Sequence, residues 1–498
     1  MATLLFADIG LSRLSKLLYG ASFVGLAAYS VLYIFDAYRC IVYPYQIDYV
    51  EGFLLYFADT LSQGQSIYQD MSTYPFIPGL YPPVYALACA PLVKLFGISF
   101  SIGRLISVLS AILIGILIYK IVGKMTDRRI AIISVLLFFA SPYIYNWTCL
   151  FRVDTLGLLF TLIGIYLVFR YEKSKIIYLS IPFFLLAVYT KQSLIAAPIA
   201  SFIYLFLKDK KLGITNASIF GISGILLLLL CNYVTEGRFY LHTVTYQGFM
   251  PSTYRTIELY LGMIQTHAIL FGFAFVQSVY IILKKKPGLF AYYFVASALI
   301  AVTVGRPGSH INYFLELIVA CCILFGTFLS GLQPQLKKGN LAGILVMIML
   351  LVQLALFAHM PYTDMAEDLR IGQELSSRVQ SSEGSVLSED AGLVVINNRE
   401  PLIEFAIAMQ LEKRGLWDQS NFVSDLQNKK FSLILLKVNA NHVLRFLTLE
   451  GSDAIMKIQQ RYSSRQRFTI EMLEAIVNNY HLVETIGEYY VYEPNEDT

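Results

Sequence analysis

Asp48 and Glu51, two carboxylates three residues apart, stand in Y-P-Y-Q-I-D-Y-V-E-G-F-L-L-Y-F-A-D, residues 43–59. A carboxylate can serve as a general base. If a helix starts at Asp48, both acids share one face of its first turn. The same pair also suits a structural task, with Asp48 as an N-cap and Glu51 favouring the positive end of the helix. Cations follow further along. N-W-T-C-L-F-R-V-D, residues 146–154, brings Arg152 and Asp154, and T-K-Q-S brings Lys191 and Gln192. Residues 236–248 hold Arg238, His242, Tyr246 and Gln247, and residues 305–316 hold Arg306, His310, Asn312 and Glu316. Arg, Lys and His can hold a phosphate or pyrophosphate leaving group. Glu316 falls about a turn inside an apolar stretch, where a charge is costly and usually faces a cavity or a partner. An internal ion pair with Arg306 or Lys191 is its plainer alternative.

The elements that must position these residues are membrane helices. The chain has 498 residues, 56% hydrophobic and 14% charged, where a soluble domain has about 25% charged. Apolar spans lie near 15–37, 100–119, 130–146, 153–169, 176–190, 192–207, 213–234, 260–283, 289–304, 310–330 and 340–359. That predicts about eleven crossings of roughly 20 residues. Arg13 and Lys16 precede the first span and no small-residue cleavage site follows it, so it reads as a retained helix. Basic residues cluster in alternate connectors: Lys120, Lys124, Arg128 and Arg129; Arg170, Lys173 and Lys175; Lys208, Lys210 and Lys211; Lys284, Lys285 and Lys286; Lys337 and Lys338. The positive-inside rule makes these connectors cytoplasmic, together with the N-terminus. Every residue singled out above then falls on the extracytoplasmic side of a plasma (inner) membrane. The net charge of +4 is small. Nothing in the pattern points to nucleic acid or sets an oligomeric state. The six cysteines show no metal spacing and read as small apolar residues.

Two external regions are large. The first loop, 38–98, contains helical apolar spacing over 49–61, which predicts an interfacial helix. A glycine-marked turn at 62–70 follows. Y-P-F-I-P-G-L-Y-P-P-V-Y, residues 74–85, cannot be regular helix. Its tyrosines, Tyr81 among them, suit a rigid interfacial loop or a sugar-stacking surface. Residues 84–96 read as a second interfacial helix, too short to cross. After about His359 and Tyr362 the composition turns soluble, which divides the chain into 1–360 and an extracytoplasmic domain, 361–498. Strands are predicted at 385–390 and 431–437, helices at 404–415 and 469–480, and closing strand material at 482–494: a small α/β domain. It shows no nucleophile motif, phosphate loop or metal spacing. Its task is to cover the outer cavity, to recognise an acceptor, or to act as a structural cap.

This layout resembles the GT-C superfamily of polytopic glycosyltransferases. In particular it is similar to the dolichyl-phosphate-mannose-type branch, with its protein O-mannosyltransferases and lipid A aminoarabinose transferases. Four stretches carry the resemblance: D-Y-V-E-G-F-L-L-Y with the later G-Q-S-I-Y-Q-D; Y-P-P-V-Y through G-R-L-I-S, residues 81–107; F-R-V-D-T-L-G-L, residues 151–158; and T-K-Q-S at 190–193. It covers most of residues 1–360 and implies a mostly α, GT-C-type helical bundle. It also implies a polyprenyl-phosphate sugar donor and a lipid, glycan or protein acceptor in the cell envelope. A first-loop acid would be the base and inversion the outcome. Asp48 takes that role, with Glu51 as second acid; many relatives have adjacent Asp-Glu, so Glu51 is the other candidate. Lys191, Arg306 and His310, with Arg152 behind them, are the expected phosphate-binding residues. Tyr81, His242, Tyr246, Gln247, Asn312, Glu316 and Asp154 are the expected substrate contacts. Some branches use a divalent metal, for which Asp48, Glu51 and Asp154 offer oxygen ligands; the reading here is metal-free. A transporter or flippase of lipid-linked sugars is the competing class. Transporters show internal repeats and polar sites near the midplane, and this sequence shows neither. A catalytically dead scaffold of a cell-envelope complex is a third reading, against which the retained acid pair argues.

Overall fold

In the computed structural model, every segment expected to cross the membrane carries helix. The structure describes residues 2–285, 287–332, 341–357, 365–449 and 467–496, with side chains from residue 13 onward. Lys286, Lys337, Lys338, His359, Tyr362 and the 360/361 boundary lie outside the described residues. Among the described residues, five helices are long and apolar enough to cross a membrane: Arg13–Val42, Phe100–Met125, Val153–Tyr171, Lys210–Val234 and Ile311–Gly331. The helices Thr253–Thr266 and Ala268–Leu283 form an apolar pair bent by 95°. Shorter apolar helices include Lys175–Val188, Ala196–Lys208, Leu289–Gly305 and Leu341–Leu356. The chain is a multi-pass membrane protein.

The bend shows how such a helix stays satisfied without water. A break strands backbone groups that the helix would pair. Gln353 supplies them: its Oε1 accepts from the amides of Ile269 and Leu270, each at 2.9 Å, and its Nε2 donates to the Thr266 carbonyl at 2.8 Å. Arg104, fully buried, does similar work at the end of the first helix, donating from Nη1 to the Cys40 carbonyl at 2.8 Å. A cation at a helix C-terminus also meets the negative end of its dipole.

The chain folds as two units. One comprises Met1–Cys40, Arg104–Leu228 and Met250–Pro361; the other comprises Ile41–Gly103, Leu229–Phe249 and Tyr362–Thr498. The second unit contains a four-stranded sheet, in order β1-β2-β4-β3. Its strands are β1 (Ser385–Ser388), β2 (Phe431–Leu436), β3 (Tyr480–Ile486) and β4 (Tyr489–Pro494). β1 and β2 are parallel and the other pairs antiparallel. The predicted closing strand is a hairpin, turned by Gly487 at φ 58°, a conformation that glycine adopts at little cost. The helices predicted at 404–415 and 469–480 run Phe405–Glu412 and Ile470–Asn479.

The core of this unit mixes distant segments. Met71 and Phe76 of the first loop, and Tyr246 and Phe249, pack with Leu387, Ile434, Trp417 and Phe422. Phe76 also pairs by backbone: its amide donates to Leu402 O at 2.8 Å and its carbonyl accepts from Glu404 N at 3.1 Å. The Pro- and Tyr-rich loop is thus irregular, as expected, but anchored. Helices Glu51–Ser62 and Val84–Phe96 flank it. The first of these starts at Glu51 and not at Asp48, and its N-cap, Val50, makes no side-chain cap. Asp48 Oδ1 accepts from Val50 N, and the Glu51 carboxylate folds back onto the amides of Ile47 and Asp48, so these residues form a turn ahead of the helix.

Candidate functional site

The two acids of the first loop have different surroundings. Glu51 is wholly buried. Its Oε2 accepts from the amides of Ile47 at 2.6 Å and Asp48 at 3.2 Å. It therefore closes a turn through Asp48, which the Glu51 amide completes by donating to the Asp48 carbonyl at 3.0 Å. Asp48 is half-buried, and its Oδ1 accepts from Val50 N at 3.2 Å. This is an Asx turn rather than a helix cap. Glu51 is the structural member of the pair and Asp48 the accessible one.

His242 belongs to the same unit and uses both ring nitrogens on the first loop. Nδ1 accepts from the Gly79 amide at 2.9 Å, and Nε2 lies 2.9 Å from the Gln69 carbonyl, to which it donates. Burial pushes its pKa down to about 4, so the ring is neutral. Gln247 donates from Nε2 to Leu80 O at 3.3 Å. Tyr246 is buried in the core, with its ring 5.0 Å from His242. The Tyr81 carbonyl accepts from the Tyr68 hydroxyl at 2.9 Å. Expected as substrate contacts, His242, Tyr246 and Gln247 hold the Pro- and Tyr-rich loop in place. Spacing alone shows only that such residues are polar or aromatic.

In the helical unit Asp154 is a hub. It lies in the first turn of helix Val153–Tyr171, where a carboxylate meets the positive end of the dipole. Its Oδ1 accepts from Lys191 Nζ at 2.6 Å and from Asn312 Nδ2 at 2.8 Å. Its Oδ2 accepts from Trp147 Nε1 at 2.9 Å and from Arg152 Nε at 3.5 Å. The helix and the turn that carries Lys191 pack closely at Gly157, where a Cβ would stand 2.3 Å from Leu194 Cδ1. Aromatic rings face the cations: Arg152 lies 4.9 Å from the Trp147 ring centre, and Lys191 lies 4.1 Å from that of Tyr313. His310, exposed, stacks on Trp147 at 5.6 Å. The structure thus joins Arg152, Asp154, Lys191, His310 and Asn312, all predicted. It adds Trp147 and Tyr313, whose neighbours in sequence were the only signal for them.

Two predicted residues stay outside this network. Arg306 opens a turn closed by Ser309, and its Nε is buried with no hydrogen-bond partner. Arg255, not singled out in the sequence, donates from Nη2 to the Ser309 carbonyl and holds that turn. Glu316 is buried in the first turn of Leu315–Gly331, with the Tyr293 hydroxyl and Lys191 as its electrostatic neighbours. Neither ion pair expected as its alternative forms among the described residues, because Lys191 is committed to Asp154. Two buried cations thus lie beside the Asp154 carboxylate, and cations so placed suit an anionic group. Among the described residues, no group of three or more His, Cys, Asp or Glu side chains has metal-binding geometry. Asp154 is a poor metal ligand in any case, since four donors already occupy its oxygens.

Residues 81–234 match the family described as dolichyl-phosphate-mannose-protein mannosyltransferase. No curated protein matches the sequence. Among solved structures, the chain is similar to ArnT from Cupriavidus metallidurans bound to undecaprenyl phosphate, at 12% identity and a TM-score of 0.60. The match covers 95% of this chain and 98% of that one. The apo state of that protein gives 13% identity and a TM-score of 0.61 over the same shares, 95% and 98%. An oligosaccharyltransferase from Archaeoglobus fulgidus, in complex with Zn and sulfate, gives 11% identity and a TM-score of 0.52, over 93% of this chain and 72% of that one. The GT-C type of fold expected from the resemblance is the fold this chain has.

Proposed function

We propose that the protein is a membrane glycosyltransferase that moves a monosaccharide from a polyprenyl-phosphate donor to a hydroxyl of a cell-envelope acceptor. The observation that carries this reading is the pair of buried cations, Lys191 and Arg152, gathered at Asp154. The match to a lipid-phosphate-sugar family over 81–234, and the similar structure that holds undecaprenyl phosphate, support it.

Asp48 takes the proton of the acceptor hydroxyl. The acceptor oxygen attacks the anomeric carbon, and the bond from that carbon to the phosphate oxygen breaks. Its electron pair leaves with the lipid phosphate, and the anomeric configuration inverts. Lys191 and Arg152 stabilise the phosphate as its charge grows. His310 and Arg306 extend the set of phosphate-binding groups. Asn312 and Trp147 hold Asp154, which sets the two cations in place. Glu51 shapes the turn that presents Asp48. Tyr81, Glu316 and the loop held by His242, Tyr246 and Gln247 border the substrates. The reaction runs through side chains and uses no metal. The site lies on the extracytoplasmic side of the plasma membrane, with the N-terminus cytoplasmic.

The test is turnover of a polyprenyl-phosphate monosaccharide by the purified protein in lipid vesicles, with donor and acceptor read by mass spectrometry. Release of free polyprenyl phosphate together with a glycosylated acceptor is the expected result. Donor that crosses the bilayer chemically intact would make the protein a transporter instead.

A further inference from the structure

Tyr49, the residue after Asp48, carries a cation from far along the chain. The Arg467 guanidinium lies over its ring, 4.1 Å from the centre. Arg467 Nη1 donates to Glu389 Oε1 at 2.9 Å. Glu389 is itself fixed to the sheet, since its Oε2 accepts from Lys437 N at 2.5 Å and its amide donates to Leu435 O at 3.0 Å. The Tyr49 hydroxyl is buried, with Glu404 as its electrostatic neighbour. Glu404 in turn caps helix Phe405–Glu412 through Ile407 N at 2.5 Å. The residues on either side are gripped too. Gln46 Oε1 accepts from Gly392 N at 3.1 Å. A Cβ on Gly52 would stand 2.2 Å from that same amide nitrogen, and one on Gly372 would stand 2.4 Å from the Tyr45 ring. The turn that contains Asp48 is therefore held at residues 45, 46, 49 and 52 by the α/β part of its own unit.

We infer that Arg467 is a positioning residue for Asp48: its hold on the Tyr49 ring fixes the 47–51 turn in the geometry from which Asp48 takes the acceptor proton. This rests on the reading of Asp48 as the base, and it gives the C-terminal α/β segment a task beyond covering. Arg467 itself touches no substrate and acts through Tyr49. Tyr49 also packs edge-on against Phe53, 5.5 Å away, so a change at its ring passes into helix Glu51–Ser62.

Three full-length proteins in nanodiscs test this: wild type, Arg467→Met and Arg467→Lys. Methionine keeps an unbranched apolar stem without the charge, and lysine keeps a cation above the ring. Arg467→Met is expected to lower kcat about 10²-fold, the effect of a small misplacement of a catalytic group. Its KM for the donor should stay within about twofold, because ground-state binding is untouched. Arg467→Lys should recover most of the loss. Hydrogen exchange supplies a readout independent of turnover. The amides of Ile47 and Asp48, bonded to Glu51, should exchange faster in Arg467→Met, while those of Phe431–Leu436 stay as in the wild type. Wild-type kcat in Arg467→Met overturns the inference. So does faster exchange throughout Phe431–Leu436, which would make Arg467 a general stabiliser, and so does a lysine variant no better than methionine. If the wild type fails to turn over the donor, the assignment of Asp48 falls with it. Exchange then decides the hold alone, and unchanged exchange at 47–48 overturns it.

Discussion

Asp48 and Glu51 are chemically alike and structurally opposite. Both are carboxylates near the start of one helix, yet Glu51 is buried against backbone amides while Asp48 stays half-exposed. A base must reach its proton. Asp48→Asn should therefore cut sugar transfer by about 10²–10⁴-fold, the usual contribution of a positioned base, while the protein still folds and inserts. Glu51→Gln keeps an oxygen acceptor for the turn but loses the carboxylate charge that strengthens both bonds, and should lose less activity and more stability. The assay is initial rate of transfer alongside a thermal melt in detergent. Wild-type-like transfer by both variants would remove the mechanism. Asp154 supports a second prediction. Asp154→Asn leaves Lys191 and Arg152 buried without their counter-charge, a change that costs about 3–5 kcal/mol when one member of a buried pair is removed. The melting temperature should fall clearly, and Lys191→Met in the Asp154→Asn background should recover part of it. The sequence shows these residues as a set, because charge near apolar spans is conspicuous. It does not show their pairing: that Lys191 forms its ion pair with Asp154, 37 residues away, is a matter of tertiary packing that no local pattern encodes.

Elements were more legible than the contacts between them. Apolar periodicity and length locate the helices over the expected spans, and the proline-rich run from 74 to 83 is irregular, as proline chemistry requires. The start of helix Glu51–Ser62 was harder to place, because a side chain four residues downstream claims the amide of Ile47. Helices Ala391–Ile396 and Ser420–Gln427 are too short for a periodic signal. His242 shows how an element can be held from a distance. Around it lie Asp70, Arg238, Tyr68 and Tyr246 as titratable or charged neighbours. Its neutral ring accepts from Gly79 through Nδ1, so a proton there would face the Gly79 N–H. The folded pKa of about 4 lies below the ordinary 6.5. As pH falls below 6.5 the unfolded chain takes up the proton first, so stability is full above that value and is lost progressively down to about 4. In a His242→Gln variant the acid-side slope of melting temperature against pH should flatten between those limits. An unchanged slope would assign the acid sensitivity to other groups.

At the scale of the whole molecule, the helical unit and the loop-and-sheet unit are each assembled from three separate stretches of sequence. Composition marks the change near residue 362 but does not reveal that residues 41–103 and 229–249 fold with the segment beyond it. That association is a matter of core packing: Phe76, Tyr246 and Phe249 complete a core that the C-terminal segment alone would leave open. The charge map makes a prediction the fold does not. If lysine and arginine clusters anchor the cytoplasmic side, Lys175 faces the cytoplasm and the turn holding Glu488 faces outward. Both side chains are exposed, so either position can report its side once replaced. In a background without the native cysteines, Glu488→Cys should react with a membrane-impermeant maleimide on intact cells. Lys175→Cys should react only after the membrane is opened. The reverse pattern would put Asp48 on the cytoplasmic side, away from an outer-leaflet donor. The proposed reaction would then require a lipid-linked sugar presented to the inner leaflet, and the acceptor would be cytoplasmic as well. Because every basic cluster fits one orientation, a single pair of labelling sites decides between the two.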